Sequence, residues 1–115
     1  MTWFSQLLPV EPPPDIVPPA REMPTDALLI DVRSYSEYMS GHLPGARCIP
    51  LPQLAEQIAH LAPDRDEPII LYCASGARSE QALGLLQQQG YTEAYNGGAA
   101  VQLAERLRRP LERGL

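Results

Sequence analysis

Short apolar runs alternate along this chain with stretches in which apolar residues return every third or fourth position, the spacings of buried strands and amphipathic helices. Ala27-Leu28-Leu29-Ile30-Asp31-Val32 is the first run, continuous enough for a strand covered on both faces. Ser34 can cap a short helix through Glu37 and Tyr38, and Gly41-His42-Leu43-Pro44-Gly45 then forces a turn before a second predicted strand at Arg47-Cys48-Ile49. Leu51, Leu54, Ile58 and Leu61 share one face of a helix that Pro63 closes. Pro68-Ile69-Ile70-Leu71-Tyr72 reads as a strand ending at Cys73, and a helix is predicted from Ser79, with Ala82, Leu83, Leu85 and Leu86 inward, until Gly90 stops it. Thr92-Glu93-Ala94-Tyr95 reads as a strand, Asn96-Gly97-Gly98 as a turn, and Ala99 to about Arg109 as a last helix ended by Pro110.

Strand and helix alternating in this way predict an α/β fold, with a mostly parallel central sheet of roughly five strands and helices on both faces. Ligands of such sheets bind beyond the carboxyl ends of the strands, where Cys73 falls. Residues 1–26 break the pattern. Seven of the thirteen prolines lie between residues 9 and 24, so this segment is expected to be an extended arm, with Ile16-Val17 as a possible short edge strand. Trp3, Phe4, Leu7 and Leu8 in the arm are expected to cover the domain's own core, with a small interface as the alternative. The remaining residues, 27–115, form one predicted domain, the size of a single hydrophobic core.

Composition changes the picture mainly by exclusion. Apolar residues at 44% and charged residues at 20% are an ordinary globular balance. The net charge of −5 argues against nucleic acid and an anionic membrane surface as general partners, and leaves small molecules and proteins. All nine basic residues are Arg, and Arg106, Arg108, Arg109 and Arg113 crowd the C-terminus, as a solvated helix face does. No run approaches the length of a membrane span and the first residues lack the pattern of a signal peptide, so the expectation is a cytoplasmic protein. Cys48 and Cys73 fit no zinc or C-x-x-C spacing and are expected to be free thiols.

The chemistry concentrates at Cys73-Ala74-Ser75-Gly76-Ala77-Arg78-Ser79, a small-residue loop between a buried strand and a helix. Such a loop can turn its N–H groups inward, and with the positive end of the following helix it favours a thiolate at Cys73. Arg78 adds a fixed positive charge, which can hold an anionic substrate or steady the loop through backbone carbonyls.

Several motifs taken together resemble the rhodanese-like domain family from about residue 27 to residue 109. They are Leu29-Ile30-Asp31-Val32-Arg33 with Glu37-Tyr38, then Gly41-His42-Leu43-Pro44-Gly45-Ala46, Tyr72-Cys73 with its loop, and Gly90-Tyr91 with Gly97-Gly98. The resemblance implies a sulfurtransferase that moves sulfane sulfur from thiosulfate or a persulfide donor, through a persulfide on Cys73, to cyanide or a thiol, including a protein thiol. It implies no metal and no organic cofactor. Carried onto this chain, Cys73 is the nucleophile, the N–H groups of Ala74, Ser75, Gly76, Ala77 and Arg78 cradle the persulfide, and Arg78 assists an anionic donor. Four residues lie between Cys73 and Arg78, one fewer than in the related phosphatases and arsenate reductases, which favours sulfur over a tetrahedral oxyanion. A non-enzymatic protein-binding or redox-sensing module is the competing function, since some members of the family have lost the cysteine. Oligomeric state and the physiological donor are left open.

Other polar residues receive plainer readings. Arg33, four residues before Glu37, is expected to pair with it, while Asp31 divides between supporting the loop and a secondary role in the site. His42 is assigned to packing of its turn, and His60 to solvent on the polar face of its helix. The resemblance puts the Cys48 strand at the sheet edge, with another strand between it and Cys73, so Cys48 is taken as structural. Ser75 is expected to donate to substrate and Ser79 to cap its helix.

Overall fold

The computed structural model describes residues 23–114. Four strands alternate with four helices: β1 (Leu28–Asp31), α1 (Tyr35–Ser40), β2 (Arg47–Cys48), α2 (Leu51–Leu61), β3 (Ile69–Cys73), α3 (Ala77–Gln88), β4 (Ala94–Ala99) and α4 (Ala100–Leu107). The strands pair in the order β2-β1-β3-β4, all parallel. The candidate fifth strand at Ile16-Val17, like Trp3, Phe4, Leu7 and Leu8, lies outside the described residues.

Successive side chains of a strand point to opposite faces, so each strand feeds two cores. Ile69, Leu71 and Cys73 of β3 join Ile30 and Val32 on the face covered by Leu54 and Ile58 of α2 and Ala82 and Leu86 of α3. Ile70 and Tyr72 join Leu29 on the other face, under Tyr38 of α1 and Leu103 and Ala104 of α4. All five residues of β3 are buried, which explains why that run shows no polar alternation.

The structure departs from expectation at three element boundaries. Helix α3 begins at Ala77 rather than Ser79, because Gly76 adopts a φ of +100° and turns the chain into the helix earlier. Helix α4 ends at Leu107, where Arg108 takes a left-handed φ of 56° and the Arg109 N–H reaches back to the Ala104 carbonyl. The largest change is at Asn96-Gly97-Gly98, which is strand rather than turn. Leu71 registers with Asn96 but Tyr72 with Gly98, so Gly97 is the extra residue of a bulge. A Cβ at Gly97 would stand 2.8 Å from both Ile70 Cγ2 and Leu103 Cδ2, so packing on the α4 face demands glycine where local propensity points to a turn.

The chain beyond α4 returns to the first turn of the fold. His42 and Glu112 form an antiparallel bridge, with N–H to carbonyl bonds of 2.9 Å in both directions. The Leu43 N–H donates to the Tyr72 hydroxyl at 3.1 Å, fastening the same turn to β3.

Candidate active site

The Cys73 side chain closes the α2/α3 face of β3, and only Ala74, Ser75 and Gly76 separate it from the first turn of α3. The Gly76 N–H donates to Cys73 Sγ at 2.9 Å, and Ser79 Oγ lies 3.6 Å from the same sulfur. Ala74, Ser75 and Ala77 are exposed, whereas Cys73 is 1% exposed, so the sulfur sits at the floor of a loop of small residues. Burial pushes its thiol up. Hydrogen bonds from the Ser79 hydroxyl and from the N–H groups of Ser79, Ser75 and Gly76 outweigh that effect and hold it below its ordinary value. The arrangement stabilises negative charge on sulfur.

Ser79 is not the cap it was expected to be, because the early start of α3 places it inside the first turn. Its Oγ lies 2.6 Å from Asn96 Oδ1 and 3.1 Å from the Gly76 carbonyl. A hydroxyl has one proton to donate, and a thiolate at Cys73 is the strongest acceptor within its reach. Asn96 Oδ1 keeps a partner in that event, the Gly98 N–H at 2.9 Å, while Asn96 Nδ2 donates to Glu80 Oε1 at 2.9 Å and to the Gly76 carbonyl at 3.3 Å. Asn96 therefore braces the loop from β4. Reading Asn-Gly-Gly as a turn concealed it; an amide beside paired glycines, on a strand next to the cysteine strand, was the available signal.

Arg78 stands in the first turn of α3, and its side chain meets α1. Its Nη1 and Nη2 donate to Glu37 Oε1 and Oε2 at 2.8 and 3.0 Å, a two-pronged ion pair that, together with hydrogen bonds from the Ser34 N–H and hydroxyl, lowers the Glu37 carboxyl to about 2. The same carboxylate completes a capping box, accepting from the Ser34 N–H at 3.0 Å while Ser34 Oγ accepts from the Glu37 N–H at 3.2 Å. Glu37 is thus a second residue whose place beside the loop the sequence did not disclose.

The expected pairing of Arg33 with Glu37 is corrected. Arg33 precedes the N-cap, so helical spacing does not apply to it, and it instead shares a strand face with Asp31 two residues earlier. Arg33 Nε lies 2.9 Å from Asp31 Oδ1, and Nη2 lies 2.6 Å from Asp31 Oδ2 and 2.6 Å from the Gly41 carbonyl. Asp31 also accepts the Arg33 N–H at 2.9 Å. Asp31 registers with Tyr72 and the Arg33 guanidinium lies over the Tyr72 ring, so this buried pair occupies the sheet face opposite Cys73. It braces the strand end and the Gly41 turn.

His42 stacks on Tyr38 with ring centroids 3.8 Å apart, its Nδ1 2.9 Å from the Tyr38 carbonyl oxygen, and His60 is exposed. Cys48 and Cys73 are both free thiols, with β1 between their strands. Burial and the Asp31 charge push the Cys48 thiol up. Cys48 lines a surface groove of about 530 Å³ with Arg47, Ile49, Gln57, His60 and Leu61, away from the Cys73 loop. Among the described residues no group of three His, Cys, Asp or Glu side chains is placed to hold a metal, and no helix is long and apolar enough to cross a membrane.

Residues 20–100 match the family profile of the rhodanese-like domain. The chain belongs to that family. Thiosulfate sulfurtransferase PspE of Escherichia coli K12 is 39% identical over 75 residues, covering 65% of this chain and 72% of that protein. A sulfurtransferase of Allochromatium vinosum is 39% identical over 71 residues, covering 62% of this chain and 64% of that protein. A solved structure of rhodanese with anions from E. coli superposes with a TM-score of 0.71 at 35% identity, covering 76% of this chain and 99% of that one. The fold is thus a single rhodanese-like α/β domain with a parallel sheet between two helical layers.

Proposed function

We propose that this rhodanese-like domain is a sulfurtransferase that carries sulfane sulfur on Cys73. The observation that carries the reading is the Gly76 N–H on Cys73 Sγ at 2.9 Å, in a loop whose bonds favour a charged sulfur. The thiolate attacks the outer sulfur of thiosulfate. A new S–S bond forms, the S–S bond of thiosulfate breaks, and sulfite leaves with the electron pair. With a thiol persulfide as donor, the leaving group is the donor's thiolate. Cyanide or an acceptor thiolate then attacks the outer sulfur of the Cys73 persulfide and the Cys73 thiolate is restored.

The persulfide projects its outer sulfur into the ring of N–H groups contributed by Ala74, Ser75, Gly76, Ala77 and Arg78. No cofactor enters this chemistry. Sulfur is favoured over a phosphate ester because the ring is small and because Glu80, the first acid after Cys73, is engaged with Asn96. Small sulfur anions, persulfides and protein thiols in the cytoplasm are the proposed partners, in keeping with the net charge of −5. Steady-state turnover tests the reading. Thiocyanate formation from thiosulfate and cyanide, or sulfur transfer from a persulfide to a thiol, is expected for the wild type and Cys48→Ser and is expected to vanish in Cys73→Ser. Equal turnover by Cys73→Ser, or none by the wild type with either donor, would overturn it.

A further inference from the structure

The one cation of the loop segment is held in one ion pair. Ala74, Ser75 and Ala77 are exposed and uncharged, and Arg78 is the one cation among the described residues from Cys73 to Glu80. Both of its bonds recorded at the terminal nitrogens go to the two oxygens of Glu37. Glu37 is itself held in place, since its Oε1 also accepts from the Ser34 N–H and Oγ, each at 3.0 Å. Arg33 offers no substitute, being bound to Asp31 on the opposite face of the sheet.

We infer that Glu37 determines donor specificity: by neutralising Arg78 it disfavours a dianionic donor such as thiosulfate and leaves the site to sulfane sulfur carried on a thiol. The inference rests on the sulfurtransferase reading above and adds its donor class. The Glu37 carboxyl is lowered to about 2, so the pair is neutral throughout the range in which the protein would be assayed. Arg78 nevertheless lies within electrostatic reach of Cys73, and releasing it would place a net positive charge beside the reacting sulfur.

The test is Glu37→Gln, which removes the charge and keeps an amide oxygen able to complete the capping box with Ser34. For thiosulfate, kcat/KM is expected to rise roughly fivefold, the effect of one freed, partly screened charge. For mercaptoethanol persulfide it should rise by only about twofold, because that donor carries at most one charge and the Coulomb energy scales with charge. Adding Arg78→Gln to Glu37→Gln should abolish the gain. A second measurement needs no variant: raising ionic strength should not lower thiosulfate kcat/KM in the wild type, but should lower it in Glu37→Gln. An unchanged or reduced thiosulfate value in folded Glu37→Gln, an equal rise with both donors, or a wild-type rate that falls steeply with salt would overturn the inference while the wild type still turns over. A wild type inert with both donors would instead sink the sulfurtransferase reading, and this inference with it.

Discussion

At the scale of single residues, the proposed reactivity of Cys73 rests on a small number of donors. Ser79→Ala removes the side-chain bond that most lowers the thiol, while leaving the N–H groups of Ser75, Gly76 and Ser79 in place. The pH midpoint for alkylation of Cys73 by iodoacetamide should therefore move upward, and an unmoved midpoint would assign the activation to the backbone alone. Asp31→Ala tests the opposite face. Removing the partner of the buried Arg33 guanidinium should cost about 3–5 kcal/mol in chemical denaturation, the usual penalty for leaving one member of a buried pair uncompensated. The position of Cys73, at the end of a buried strand and before a loop of small residues, was legible in the sequence because a continuous apolar run stops at it. Asn96 was concealed by its turn-forming neighbours, and Glu37 by a spacing count that assigned it to Arg33. In both cases the true partner lies far along the chain, beyond what local pattern can express.

At the scale of elements, the apolar spacing, with the Ser34 cap for α1, foretold the described strands and helices, because burial on a defined face sets the period and a cap sets a start. The boundaries that moved did so where one glycine or one left-handed residue outweighs propensity, at Gly76, Gly97 and Arg108. Gly97→Ala should lower stability by about 1–3 kcal/mol, the range for overpacking, because the added methyl meets Ile70 and Leu103 at 2.8 Å. A thermal midpoint equal to wild type would show that β4 can shift without loss. The tie between α1 and α3 has its own pH signature. Glu37 is lowered from 4.5 to about 2 in the folded chain, so its contribution is present above its unfolded value and is lost as pH falls through that window. Its side chain is 37% exposed, so the contribution is about 1 kcal/mol or less. The stability gap between wild type and Glu37→Gln should be small at about pH 7, begin to narrow below about pH 4.5 and nearly close at about pH 2. A gap that widened with acid would contradict the sign.

At the scale of the whole molecule, the two faces of the parallel sheet divide the work. One face buries the Asp31–Arg33 pair and Tyr72 to brace the strand ends, and the other brings Cys73, Ser79 and Asn96 together at the mouth of the α3 loop. The parallel order β2-β1-β3-β4 keeps Cys48 two strands away from Cys73, so the proposed sulfur carrier works with one thiol. That is the central claim, and it is tested most directly by intact mass. The purified chain is incubated with thiosulfate, and separately with a persulfide donor, and weighed before and after cyanide. The account predicts a gain of one sulfur atom from at least one donor on wild type and on Cys48→Ser, removed by cyanide and absent from Cys73→Ala. Sulfur retained by Cys73→Ala, or no gain from either donor on a wild type whose Cys73 alkylates readily, would contradict it.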